Sequence, residues 1–287
     1  MPPALPDMPR KALAKAVRNR IAGDDFDRVH NRIWHTPGER WFGPSDAIWR
    51  VHADTSMFIG GIRALLLQSL HPVAMWGVSE HSGFRGDPWG RLHRTSTFLA
   101  MTTYGSVPDA ERSIAAVRSI HRRVQGTMPD GRRYSAEDPH LLQWIHIAEI
   151  DSFLVAHQRF GRQPLTATES DDYVAQSGLV AEKLGVVELP GSVAEMADMI
   201  SSFRPELTGS PAAHDAAALL LRDPPLPAIA RIGYAPLAAG AVSLLPVWAR
   251  TALGLPTLPV TDRLLIQPLA RSMSSAFRWA LSGPQSA

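Results

Sequence analysis

The strongest constraint in this sequence is its helix punctuation. Asp138-Pro139 pairs an N-cap with a proline at the first helical position, and Gly161 supplies a stop after Phe160. Thr166 to Glu169 and Ser192 to Glu195 each have the spacing of a capping box. The first opens a helix to about Leu184, closed by Gly185; the second opens one that ends before Pro205. Asp109 to Val124 carries apolar residues at Ile114, Val117, Ile120 and Val124, in helical steps. Further helices are expected over 64–78, interrupted at His71-Pro72, over 92–104, and from Thr261 to Leu281 with a kink at Pro268. Sustained Val/Ile/Thr alternation is absent. The fold class is therefore all-α: a compact bundle of eight or more helices in one domain over 1–287. Proline-rich stretches at 205–211 and 223–227 set off apolar C-terminal helices at 226–281.

Composition narrows the chemistry. The chain has no cysteine, which excludes disulfides, thiolate nucleophiles, cysteine zinc sites and thiolate-ligated haem. Any metal must be held by histidine, carboxylate or carbonyl groups. Ten of the 11 histidines lie between His30 and His157. The net charge of +2 and the absence of a basic stripe interleaved with aromatics argue against nucleic-acid binding. The N-terminus has no apolar core of a secretory signal; Arg10, Lys11, Lys15, Arg18 and Arg20 read as a solvated helix. The run Ile232–Ala249 is uncharged apart from its ends' neighbours but broken by Pro236, Gly240 and Pro246, so it reads as a buried or membrane-facing hairpin rather than a span. Dinucleotide, P-loop and nucleophile-elbow motifs are absent.

Several residues have spacings that bear on function. Arg91, Arg94 and Thr95 share one helical face, and Arg118 and His121 lie one turn apart on the next helix. A haem would satisfy an arginine and a buried histidine together, through its propionates and its iron; a solvated arginine and an ordinary histidine fit the spacing as well. His146 and Glu149 lie one turn apart, like half of a di-iron carboxylate site without its second half, and a mutual hydrogen bond is the plainer expectation. His71 either lines a pocket or satisfies the carbonyl freed by Pro72. His81 and Arg85 fall in a glycine-rich loop that could shape a pocket, while His52, His93 and His140 read as ordinary residues.

The strings LLLQSLHPVAMWGVSEHSGFRGDPWGRLHRT and VRSIHRRVQGTMPDGRRYSAEDPHLLQWIHIAEIDSFLVAHQRFG resemble a family of bacterial and fungal oxygenases. It comprises the latex-clearing proteins (rubber oxygenases) and the MpaB-type oxygenases. The resemblance covers about 45–205, the expected haem-binding core. It implies a globin-like fold around one haem b, and cleavage of carbon–carbon double bonds in apolar isoprenoids by dioxygen. The family's Arg-x-x-His ligand motif matches Arg118-Ser-Ile-His121, which gives His121 the iron and Arg118 a propionate or supporting role. His71 and His146 stand as reserve cofactor-binding residues. The distal Arg-x-x-Lys-Thr pattern matches Arg91-Leu-His-Arg94-Thr95, with arginine in place of a lysine that can ligate iron; Gln125 replaces a family arginine. By this reading Arg91, Arg94 and Thr95 serve bound oxygen, with Arg91 and Arg94 also available to a propionate. Glu80, Glu149 and Asp151 are undifferentiated candidates for a base. The expected partners are dioxygen and a small apolar, terpenoid-like substrate. The expected location is cytoplasmic with a peripheral membrane contact. The alternatives are a non-haem iron or di-iron oxidase using His146 and Glu149, a non-catalytic haem-binding protein, and a helical module without cofactor. Oligomeric state is not legible.

Overall fold

The computed structural model describes residues 26–81 and 87–281. The N-terminal basic stretch and Arg85 lie outside them. The described chain is 13 helices and one small hairpin: α1 (Phe26–His35), α2 (Ala47–His52), α3 (Met57–Gln68), α4 (Pro72–His81), α5 (Pro88–Tyr104), α6 (Val107–His121), β1 (Gln125–Thr127), β2 (Arg133–Ser135), α7 (Pro139–Phe160), α8 (Ala167–Leu184), α9 (Val193–Ser202), α10 (Pro211–Leu221), α11 (Ala228–Ser243), α12 (Val247–Ala252) and α13 (Gln267–Leu281). A 3₁₀ turn at Arg204–Glu206 follows α9. A helical turn at Pro259–Thr261 and a π turn at Asp262–Ile266 lead into α13. The all-α expectation holds.

The caps explain most boundaries. The Asp138 carboxylate accepts from the His140 amide at 2.9 Å, and Asp87 likewise caps α5 through the Gly90 amide at 2.8 Å. The Thr166–Glu169 capping box is complete, and Gly185 closes α8 at φ +112°, a conformation that favours glycine. The other expected box is half-formed: Ser192 caps the Glu195 amide, but the Glu195 carboxylate accepts from Gly191. Thr261 is not a cap, because it already has helical φ and ψ.

Two expectations change. The helix expected over 64–78 is two helices, α3 and α4, bent by 108° at the His71-Pro72 break. After His121 the chain leaves helix for the antiparallel pair β1–β2, registered Gly126 against Tyr134. That hairpin is too short for alternation to announce it.

The main core lies along α3 and α7, which pack more extensively than any other pair. Gly60 makes this possible. A Cβ there would meet the Phe153 ring at 2.8 Å and the backbone of Ser152 and Phe153 at 3.1–3.2 Å. One turn on, Arg63 is 3% exposed and donates to Asp151 at 2.7 Å, to Ser152 at 2.6 Å and to the Leu244 carbonyl at 3.1 Å. Helix α11 packs on α3 and α13, and Leu237, Ala238, Ala241, Leu245 and Ala270 join the same core. The C-terminal helices therefore belong to the bundle. Ile232 and Val247 stay exposed, so the apolar run is half-buried.

Replacing Gly60 by alanine is expected to destabilise the fold by about 1–3 kcal/mol, since a Cβ would press on the buried Phe153 ring with backbone close behind it. Gly61→Ala, where a Cβ meets nothing within 4 Å, should instead stabilise by about 0.5–1 kcal/mol. Urea denaturation of both variants checks the contrast; equal effects would contradict it.

Candidate functional site

Helices α5 and α6 pack on each other and reach the rest of the bundle chiefly through α2 and α8, which both rest on α7. The helices α2, α5, α6, α8 and α7 thus form a ring. His52, at the end of α2, touches three of the others. Its Nδ1 lies 2.8 Å from Thr103 Oγ1 of α5, and its ring centroid lies 5.6 Å from Phe153 of α7 and 6.0 Å from Tyr173 of α8. Burial lowers its pKa to about 3, so the ring is neutral.

Four ring helices each carry a histidine with a buried nitrogen that has no hydrogen-bond partner: His52 Nε2 on α2, His93 Nε2 on α5, His121 Nδ1 on α6 and His146 Nε2 on α7. Burial lowers the pKa of His146 to about 4. Burial also lowers that of His121, against a smaller opposing pull from Glu137. Unpartnered buried imidazoles are costly, and a neutral imidazole is the form that binds a metal.

Glu149 sits one turn beyond His146, on the face that continues to Phe153. Burial raises its carboxyl to about 7, and a hydrogen bond from Gln68 only partly offsets this. The hydrogen bond expected between His146 and Glu149 is not what satisfies His146, whose Nε2 is unpartnered. The three candidate bases now separate. Glu80 is exposed and Asp151 is paired with Arg63, whereas Glu149 is held where its proton is labile near neutrality.

The arginines divide. Arg91 is half-buried, and its pKa is lowered by desolvation and by the charge of Arg94. Arg94 is exposed and pairs with Asp87 at 3.3 Å, and Thr95 is exposed. Both side chains thus face solvent from α5. Arg118 is exposed too, 3.4 Å from the Lys183 carbonyl, so it does not accompany His121 inward. The helical turn that aligns the pair leaves the histidine at the end of α6, where the chain folds back into the hairpin. Gln125 is exposed in β1.

His71 lies elsewhere. It is buried against Trp144 and Phe203 and beside His140. At 100° per residue, His140 and Trp144 occupy the face of α7 opposite His146 and Glu149. His81 ends α4 rather than lying in a loop, and its Nε2 is 2.8 Å from the Tyr134 hydroxyl. Two clefts, of about 230 Å³ beside His214 and 400 Å³ along the hairpin, contain none of the ring histidines. Sequence reading passed over His52 and His93. For His52 a signal existed: it continues the buried stripe of Ile48 and Val51 on α2.

Residues 49–279 match the family model described as ER-bound oxygenase mpaB/B′/rubber oxygenase, catalytic domain. Two curated relatives are "Uncharacterized protein Mb2261" of Mycobacterium bovis and "Uncharacterized protein Rv2237" of Mycobacterium tuberculosis. Each is 30% identical over 98 residues, 33% of this chain and 38% of the relative. The chain thus matches well under half the length of these relatives. No solved structure matches it significantly.

The pKa of Glu149 has a measurable consequence. The folded chain keeps a proton that the unfolded chain releases between about 4.5 and about 7, so the contribution of Glu149 to stability falls as pH rises through that window. His52 and His146 act oppositely, and cancel when variant and parent are compared. Relative to the parent, Glu149→Gln should gain on the order of 2–3 kcal/mol between pH 4.5 and 7. Denaturation at both pH values measures this; a pH-independent difference would contradict the raised pKa.

Proposed function

The chain belongs to the mpaB/B′ and rubber oxygenase catalytic-domain family, and from that premise we propose a haem b-dependent oxygenase that oxidises or cleaves a C=C bond in an apolar, terpenoid-like substrate. The observation that carries this reading is the set of buried imidazole nitrogens without a hydrogen-bond partner on four of these helices, with a half-buried arginine on one of them. This donor set fits a haem: imidazole for iron, guanidinium for a propionate. His121 would hold the iron, with His146 as the second candidate, and Arg91 would meet a propionate. When bound, haem supplies the iron chemistry that activates dioxygen.

The residues of the chain supply the rest. Glu149 accepts an allylic proton from the substrate. Its desolvated carboxylate is a stronger base than an exposed one, and Gln68 steers it by hydrogen bonding. A non-haem site at His146 and Glu149 is less well supported. Among the described residues, the triad of histidine and carboxylate ligands close enough to share an ion is a different one. The poised carboxyl of Glu149 favours turnover over a carrier role.

The chain purified after haem-supplemented expression should show a Soret band, and His121→Ala should lose it. Glu149→Gln should keep the band while oxygen consumption with an isoprenoid substrate falls by about 10²–10⁴-fold. Iron without a Soret band would overturn the haem reading.

Such a substrate partitions into lipid. Leu258, Val260, Leu264, Leu265 and Leu269 are all exposed around the π turn, although no single helix among the described residues is long and apolar enough to cross a membrane. A peripheral contact through this patch is part of the proposal. Leu264→Asp with Leu265→Asp should lower co-sedimentation with lipid vesicles several-fold; unchanged sedimentation would remove the contact from the proposal.

A further inference from the structure

Three side chains from separate segments meet on the far side of α7. His140 Nε2 lies 2.9 and 3.0 Å from the two carboxylate oxygens of Glu206. His71 Nε2 lies 3.4 Å from Glu206 Oε2. One ligand atom from each residue can be chosen so that all lie within 4.8 Å of one another. His71 is 3% exposed and its Nε2 has no hydrogen-bond partner, although it faces the carboxylate.

The rings are held in place. His140 stacks on Phe203 at 4.4 Å between centroids, and His71 lies between Trp144 and Phe203 at about 6.5 and 6.4 Å. On the opposite edge of His71 the Ala74 amide donates to Nδ1 at 3.4 Å, so Nδ1 is the acceptor there and the ring proton lies on Nε2, towards Glu206. A metal at Nε2 would displace that proton, and the ring is already held by its packing against Trp144 and Phe203.

We propose that His71, His140 and Glu206 form a binding site for a divalent transition metal of the zinc type, with the fourth position open to water. A tetrahedral zinc with ligands at about 2.0–2.2 Å spaces them about 3.3–3.5 Å apart, so the observed cluster needs only small adjustments to close. Two imidazole donors favour zinc-like ions over magnesium or calcium, which take oxygen. Glu206 and His140 are 44% and 50% exposed, which gives the ion a way in from solvent. A hydrogen bond between His140 and Glu206 accounts for those two residues but leaves His71 Nε2 only a long, 3.4 Å contact with the same carboxylate. A bound ion ties together the 108° break between α3 and α4, the start of α7 and the 3₁₀ turn after α9. The site is separate from the histidine ring and stands whether or not that ring holds haem.

The test uses the full chain, untagged and stripped with chelator, titrated with zinc chloride. Calorimetry and metal analysis should give one equivalent at micromolar affinity or tighter, with a melting temperature raised by several degrees. Magnesium chloride should do neither. His140→Ala and Glu206→Gln, both at exposed positions, should each weaken zinc binding at least tenfold and leave iron content and optical spectrum unchanged. Absence of saturable zinc binding by the folded parent would overturn the proposal. So would unchanged affinity when His140→Ala and Glu206→Gln are combined, which would place the ion elsewhere. Circular dichroism of each variant establishes that it is folded.

Discussion

The contact between α3 and α7 is what the other elements depend on. Gly60 lets the two backbones approach, and the guanidinium of Arg63 then ties α3 to Asp151 and Ser152 of α7 and to the end of α11. An ion pair this buried adds little net stability over an apolar replacement of the same shape. Removing one partner is different, and costs about 3–5 kcal/mol because a charge is left stranded. The seam therefore specifies which faces of α7 remain for other purposes. One carries His146, Glu149 and Phe153 towards the ring; the other carries His140 and Trp144 towards His71.

The ring shows how the bundle accommodates polar groups in its interior. His52 and His146 are kept neutral by desolvation, and Glu149 is kept largely protonated below about pH 7 by the same cause. Neutrality avoids the penalty of burying charge, but a hydrogen-bonding penalty persists at each unpartnered nitrogen. Proteins tolerate such costs mainly where a site needs them. Asp109 is the contrast. Burial pushes its carboxyl up, but Arg32, Arg112 and Ser106 more than reverse this, and the group serves only to anchor α6.

Much of the fold was legible because helix ends are local chemistry. Asp138-Pro139, Thr166 with Glu169, and Gly185 act within a few residues, and the structure uses them as the spacing requires. Boundaries failed where tertiary packing intervened: His71-Pro72 makes a sharp bend rather than a kink, and the chain after His121 turns back as strands. The site was legible in part. His121 and His146 carry buried nitrogens without a hydrogen-bond partner, where spacing alone allowed an ordinary histidine at the first and favoured a hydrogen bond to Glu149 at the second. Arg94, Thr95 and Arg118 show the limit of helical spacing. It says which residues share a face, but whether that face turns inward depends on helices distant in sequence. For the same reason His140 read as ordinary, since Glu206 is 66 residues away.

The π turn at Asp262–Ile266 has a consequence for tolerance to change. It holds one residue more than an α-helical turn, and Arg250, 4% exposed, braces it through Asp262 at 2.6 Å and the Ser243 carbonyl at 2.6 Å. Deleting one residue there would restore regular winding and rotate everything on one side by about 100° relative to the other. The leucines that now face outward would be carried round the helix axis without any change in their identity. Chain length in this turn, rather than composition, sets which surface the C-terminal helix displays.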